Sequence, residues 1–156
     1  MLASACAIMF TNSCKKEARG TVKDIMVGKW QLATVYRTTT LAGVQTIDTL
    51  NTTCDTTQVF TFNSDGTCTY TNFNCDPTQP SSSGKWAVST DQHYLASDMT
   101  CTDTATKKKY QPFSYAEINT VGIYSLVLRT GDIARYYPSN DTVTVIRYGF
   151  VRQKTP

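Results

Sequence analysis

From residue 28 onward apolar and polar positions alternate with a period of two, and clusters of Gly, Pro, Asn, Asp and Ser break the alternation at short intervals. A half-buried strand shows successive residues to opposite faces, so the pattern predicts strands separated by turns. The strand segments are 28–38, 43–50, 57–63, 67–73, 84–90, 94–98, 109–118, 122–130 and 142–152. The sharpest link is "VFTFNSDGTCTYT", where Asn63-Ser64-Asp65-Gly66 joins two alternating runs as a tight hairpin and Gly66 supplies the positive φ. The stretches "CDPTQPSSSG", "TDQ", "NTVG" and "YYPSND" are rich in residues that bend chains and read as loops. Residues 18–26 form a short tether with room for one helical turn, and no heptad or long amphipathic helix is visible.

Gly-Lys-Trp occurs twice, as "GKWQLATVY" from Gly28 and "GKWAVST" from Gly84. Beyond these strands "RTTTLAGVQTIDTL" and "DQHYLASDMTCTDT" share nothing, so the copies are no domain duplication. In each, Gly serves a turn or a close backbone approach, Lys faces water and Trp points inward. One fold uses the same device twice.

The chain has 156 residues, the usual size of one domain. Only 17% are charged and the formal net charge is +3, which excludes the concentrated positive field of a nucleic-acid binder. Lys107-Lys108-Lys109 reads as a solvated turn. Thr, Val, Ile, Tyr and Phe suit pleated, half-buried surfaces and make this an all-β chain. Short antiparallel strands must hide their edges, and an up-and-down barrel does so by closing; a β-sandwich is the structural alternative.

Six cysteines without a Cys-x-x-Cys pair, and a single histidine, support neither a zinc site nor any other metal or cofactor. Disulfides are expected instead. A hairpin centred on residues 63–66 sets Phe62 opposite Thr67 and, continued outward, Cys54 opposite Cys75 within disulfide reach. That leaves Cys68 to pair with Cys101. Catalysis finds little material: His93 lies in the turn "STDQHY", Glu117 is the one glutamate of the body, and "NSDGT" lacks the spaced ligands of a calcium loop. No enzymatic activity is expected.

Residues 1–10 are apolar but too few to cross a bilayer core of ~30 Å at ~1.5 Å per residue, and they look like the hydrophobic part of a secretion signal. The following "FTNSCKKEARG" resembles the processing site of bacterial lipoproteins, of the Bacteroidetes type in its charged residues after the cysteine. The resemblance implies a signal peptide over 1–13, lipidation of Cys14, a tether over 14–26 and a β-barrel domain over 27–156. Cys6 is the competing site, with too little apolar chain before it. The implied place is the cell envelope, with the chain lipid-anchored to the outer membrane and facing the periplasm or the exterior.

"GKWQLATVY", "FTFNSDGTCTYT" and "SSSGKWAVSTD", in that order, resemble the small lipocalin-like domains of bacterial lipoproteins over most of residues 28–152. The resemblance implies that Trp30 lies across the bottom of the barrel, packed by an arginine from the end of the chain. Arg152 and Arg147 are both available, and Arg152 is preferred. The aromatics are too numerous to all face outward, and a barrel of this kind either fills itself or encloses one small ligand. A binding role for a small hydrophobic or amphipathic molecule puts Tyr36, Phe62, Tyr70, Trp86, Tyr115, Tyr124 and Tyr148 around the ligand, with hydroxyls orienting it. The rival expectation is a filled core whose loops contact glycan or a partner protein. No nucleic acid partner is expected, and the chain is expected to be a monomer.

Overall fold

Gly28 starts the longest described strand at φ +135°, a conformation closed to residues with a side chain. The computed structural model of the protein describes residues 21–50, 57–103, 106–133, 137–138 and 140–154. A short helix, α1 (Val22–Met26), is followed by β1 (Gly28–Leu41), β2 (Val44–Leu50), β3 (Val59–Phe62) and β4 (Thr67–Thr71). After a one-turn 3-10 helix at Phe73–Cys75 come β5 (Ser81–Val88), β6 (Tyr94–Ser97), β7 (Cys101–Thr102) and β8 (Lys109–Tyr110). The last strands are β9 (Ala116–Val121), β10 (Ser125–Gly131) and β11 (Val143–Arg152).

The chain is all-β, and its strands wind up and down into a closed antiparallel barrel of eight. The order is β1, β3, β4, β5, β6, β9, β10 and β11, and β11 returns to pair with β1 from Trp30↔Arg152 to Thr40↔Val143. Closure removes the sheet edges that a sandwich would leave, so the sandwich alternative falls. β2 stays outside the ring, pairing with the upper half of β1 as an arm, and β7 and β8 form a separate ribbon.

Three departures from the alternation have local causes. Segment 109–118 does not run as one strand: Pro112 has no N–H to give, Ser114 N–H turns back to the Gln111 carbonyl, and β8 pairs with β7 before the barrel resumes at Ala116. The β3–β4 hairpin is shifted by one residue. Its loop is Ser64-Asp65-Gly66, closed by Asn63 N–H to Thr67 O at 2.9 Å with Gly66 at φ +83°, so Phe62 faces Cys68. Finally, the β1–β11 register slips between Leu32 and Thr34, a bulge that changes the phase of β1. Val35 turns to the interior in place of Thr34, and Arg37, in place of Tyr36, lines the cavity mouth while staying exposed to solvent.

One end of the barrel is sealed. α1 starts from a capping box in which Thr21 and Asp24 serve each other's orphan groups, and it lays Met26, fully buried, against the barrel floor. Trp30 is fully buried and donates Nε1–H to the Met26 carbonyl at 2.6 Å. The guanidinium of Arg152 lies 4.3 Å from the centre of the Trp30 ring. It donates to the carbonyls of Ile123 at 2.6 Å, Val27 at 2.9 Å and Ile25. A Cβ on Gly28 would stand 2.7 Å from Arg152 Nη1, so glycine is what lets the arginine reach the indole. Gly84 repeats the device: its Cβ would stand 2.5 Å from Asp98 Oδ1 and from the Met99 amide nitrogen, while Lys85 is exposed and Trp86 is buried two residues on.

Arg152→Ala should destabilise the protein by about 2–4 kcal/mol, through loss of a cation–π contact and of charged hydrogen bonds to carbonyls. Arg152→Lys should recover only part, because an ammonium lacks the planar fork that serves separate carbonyls. Urea unfolding read as a shift of the midpoint at unchanged slope checks both.

Candidate functional site

The interior above Trp30 is filled by aromatic rings. Phe60 stands at the centre, with ring centroids 4.1 Å from Phe62 and 5.0 Å from both Tyr70 and Phe113. Phe113 comes from the loop between β8 and β9, is fully buried, and also meets Phe73 at 5.9 Å and Tyr148 at 5.1 Å. A large side chain delivered by a loop thus fills space that the wall residues alone would leave.

Above this layer, at the end opposite α1, the rings give out and a cavity of about 250 Å³ opens. Its wall is apolar on one side, from Leu32, Val35, Leu50 and Ile146. Its rim is polar, from Arg37, Gln58, Asn74, Asp103 and the phenols of Tyr110 and Tyr148. Tyr148 is 6% exposed; burial raises its hydroxyl above the usual tyrosine range against the lowering effect of a hydrogen bond with Thr130. Tyr110 is pushed up to about 12, first by burial and then by the negative charges of Cys101 and Asp103, although Asn74 donates to it at 3.2 Å. Both phenols are neutral at ordinary pH and present O–H groups to the cavity. A larger groove of about 600 Å³, lined by Gly28, Thr61, Ser64 and Lys154, lies outside the sealed end and opens to solvent.

The residues expected around a ligand are divided by the fold. Phe62, Tyr70 and Trp86 are buried but belong to the packed core: Trp86 meets Phe62 at 4.9 Å and donates Nε1–H to the Asn63 carbonyl at 3.0 Å. Tyr148 alone of the set lines the cavity. Tyr36 is moved off the interior by the bulge in β1. Tyr115 and Tyr124 are 54% and 71% exposed, Tyr115 stacking on Tyr94 at 4.6 Å on the outer wall and Tyr124 at the tip of the β9–β10 turn. Arg37, Gln58 and Tyr110 were missed. Only the bulge brings Arg37 to the cavity mouth, and no alternation in the sequence marks it.

The expected Cys68–Cys101 pair needs correction. Cys68 and Cys101 are buried free thiols, each held by a different strand's serine: Cys68 Sγ lies 3.2 Å from Ser97 Oγ, and Cys101 donates to Ser82 Oγ at 3.4 Å. Cys54 lies outside the described residues, as does Cys14. Cys75, the other half of the expected Cys54–Cys75 pair, is disulfide-bonded. Among the described residues no three His, Cys, Asp or Glu side chains gather as a metal centre would need. His93 is exposed, its Nδ1 3.5 Å from Asp91 Oδ2, and Ser89 gives its hydroxyl proton to Asp91 rather than to the imidazole. That order leaves the serine without a base.

The fold and the cavity define a closed, eight-stranded β-barrel with one sealed end and a small, mixed-polarity mouth. The chain belongs to the family described as a domain of unknown function, DUF5004, matched over residues 4–132. That span starts in the apolar opening stretch and stops before β11, the strand that closes the barrel. No curated protein matches the chain.

Burial raises the pKa of both free thiols, so iodoacetamide at mildly alkaline pH should leave Cys68 and Cys101 unlabelled in the folded protein and label both after denaturation, as peptide mapping reads directly. Alkaline stability follows from the phenols. The unfolded chain loses tyrosine protons near pH ~10, before folded Tyr110 and Tyr148 do, so stability holds below that pH and falls as pH rises toward about 12. Tyr110→Phe should make the alkaline limb of a denaturation profile shallower.

Proposed function

We propose that this protein is a membrane-anchored, lipocalin-like binding protein without catalytic activity, which takes a small amphipathic molecule into the mouth of its barrel. The observation that carries the reading is the division of the interior into a packed, sealed end and an unfilled cavity of about 250 Å³ with apolar walls and a polar rim. Sites for drug-sized ligands usually measure ~300–1,000 Å³, so the ligand is small or enters by one end. Leu32, Val35 and Ile146 take its apolar part, and Arg37, Gln58 and the phenol of Tyr148 orient its polar part. Kinship with lipocalin-like domains draws support from the closed barrel and from the arginine of the last strand packed on the tryptophan of the first.

A lipid anchor at Cys14 would join the barrel at its sealed end. Thr21 sits at the sealed end, and a lipidated Cys14 would hold that end within ~25 Å of the bilayer at the reach of an extended chain, turning the mouth away. No described helix is long and apolar enough to cross a membrane. The filled core favours a second reading, an envelope interaction module: the stacked, partly exposed Tyr94 and Tyr115 offer an aromatic surface to a glycan or partner protein.

Native mass spectrometry of the protein purified from its own envelope should show a bound amphiphile, and Val35→Trp, which fills the mouth, should remove it. Wild-type protein that carries no extra mass and binds none of a series of fatty acids would overturn the ligand reading. Loss of glycan binding in Tyr115→Ala, with Val35→Trp unaffected, would establish the second.

A further inference from the structure

β2 ends the sheet, and its outer edge has no partner among the described residues. Edge strands are normally guarded by a lysine, a proline, a bulge or an inward charge. β2 reads VQTIDTL, with one charge, no lysine, no proline and no register shift against β1. Its side chains are also exposed on both faces, Val44 by 69% and Ile47 by 63%. Such a strand is built to be covered.

The hairpin fixes which groups face outward. Ala42 and Gly43, at φ 49° and 79°, make a two-residue loop, so the flanking Leu41 and Val44 form a bonded pair and bonded pairs recur every second residue. Val44, Thr46, Asp48 and Leu50 therefore direct their amides and carbonyls to β1. Gln45, Ile47 and Thr49 direct theirs outward.

We infer that β2 pairs antiparallel with β2 of a second copy of this chain, about a two-fold axis through Ile47. In that register Gln45 lies opposite the second copy's Thr49 and Ile47 opposite its own counterpart, so every outward N–H and C=O between them finds a partner. Side chains match as well. Val44 meets Leu50, Ile47 meets Ile47, and Asp48 meets Thr46 rather than another carboxylate, while Arg37 stands across from Asp48 within each chain. Axes through Gln45 or Thr49 break both apolar pairs. The strand alone buries less than the ~1,600 Å² of a standard interface, so the dimer forms with rising concentration.

Sedimentation velocity of the full chain over a concentration series tests the inference. Wild-type protein should move from monomer to dimer. Ile47→Lys and Ile47→Glu should each stay monomeric, since two like charges would face each other at the axis, and an equimolar mixture should recover the dimer through the opposite pair. Thr49→Pro, which removes an outward N–H and spares the pairing with β1, should also stay monomeric with an unchanged unfolding midpoint. A wild-type chain that is monomeric at every concentration overturns the inference. So does an Ile47→Lys variant that still dimerises, or a mixture that fails to recover the dimer.

Discussion

The guanidinium of Arg152 against the ring of Trp30, over the bare Cα of Gly28, is the contact on which the remaining structure depends. A barrel closes only when its first and last strands meet, and here Arg152 of the last strand also holds the Val27 carbonyl, 125 residues away in the chain, just before the first. Contacts of that separation form after the local hairpins and carry a loop-closure cost that the hairpins do not share. Closure is held by the long ladder between β1 and β11 and, at its foot, by one side chain that reaches α1, the β9–β10 turn and the first strand together. Without it the floor loses the tie between its separate pieces, and Met26 and Trp30 lose the lid that keeps them dry.

The same economy explains why the interior is solid in one half and hollow in the other. Rings from β3, β4 and β11 fill the lower barrel, and Phe113 arrives from outside the wall to finish the layer. Above Tyr148 the inward residues of β11 shrink to Ile146 and Thr144, and β1 contributes Val35 and Arg37. Among the described residues, no loop side chain fills that volume. The cavity is thus a consequence of where the aromatic supply stops, and its polarity follows from a rim of Arg37, Gln58, Asn74, Asp103 and the two phenols.

The closed all-β architecture was legible because alternation and turn chemistry are local signals, and both glycines of the Gly-Lys-Trp pair do allow close approaches as the residue type suggests. The positions of the strands on β3, β4, β6 and β11 follow the alternation closely. What the pattern could not carry was phase. One extra residue in β1 exchanges Tyr36 for Val35 and Arg37, and a one-residue difference in the 63–66 turn moves every facing pair of the hairpin. Tyr110 was hidden for another reason: a run that alternates like a strand is cut at Pro112, and its two halves serve different parts of the molecule. The candidate cavity was therefore read only through Tyr148, since most of its rim comes from loops and from the shifted half of β1.

β2 links the two proposals made for this chain. Leu50, its last residue, is part of the cavity wall, whereas Gln45, Ile47 and Thr49 face the open edge. A strand held on one side only has little local stability, and whatever orders it from either direction restricts the same backbone. A ligand seated against Leu50 and Val35 would pin β2 from within, and a second copy along the edge would pin it from without. Because both act on one element, each lowers the ordering cost that the other must meet, and linkage makes the effect reciprocal. Were both proposals to hold, the arm beyond the barrel mouth would couple binding to association, through a strand that closure of the barrel left outside the ring.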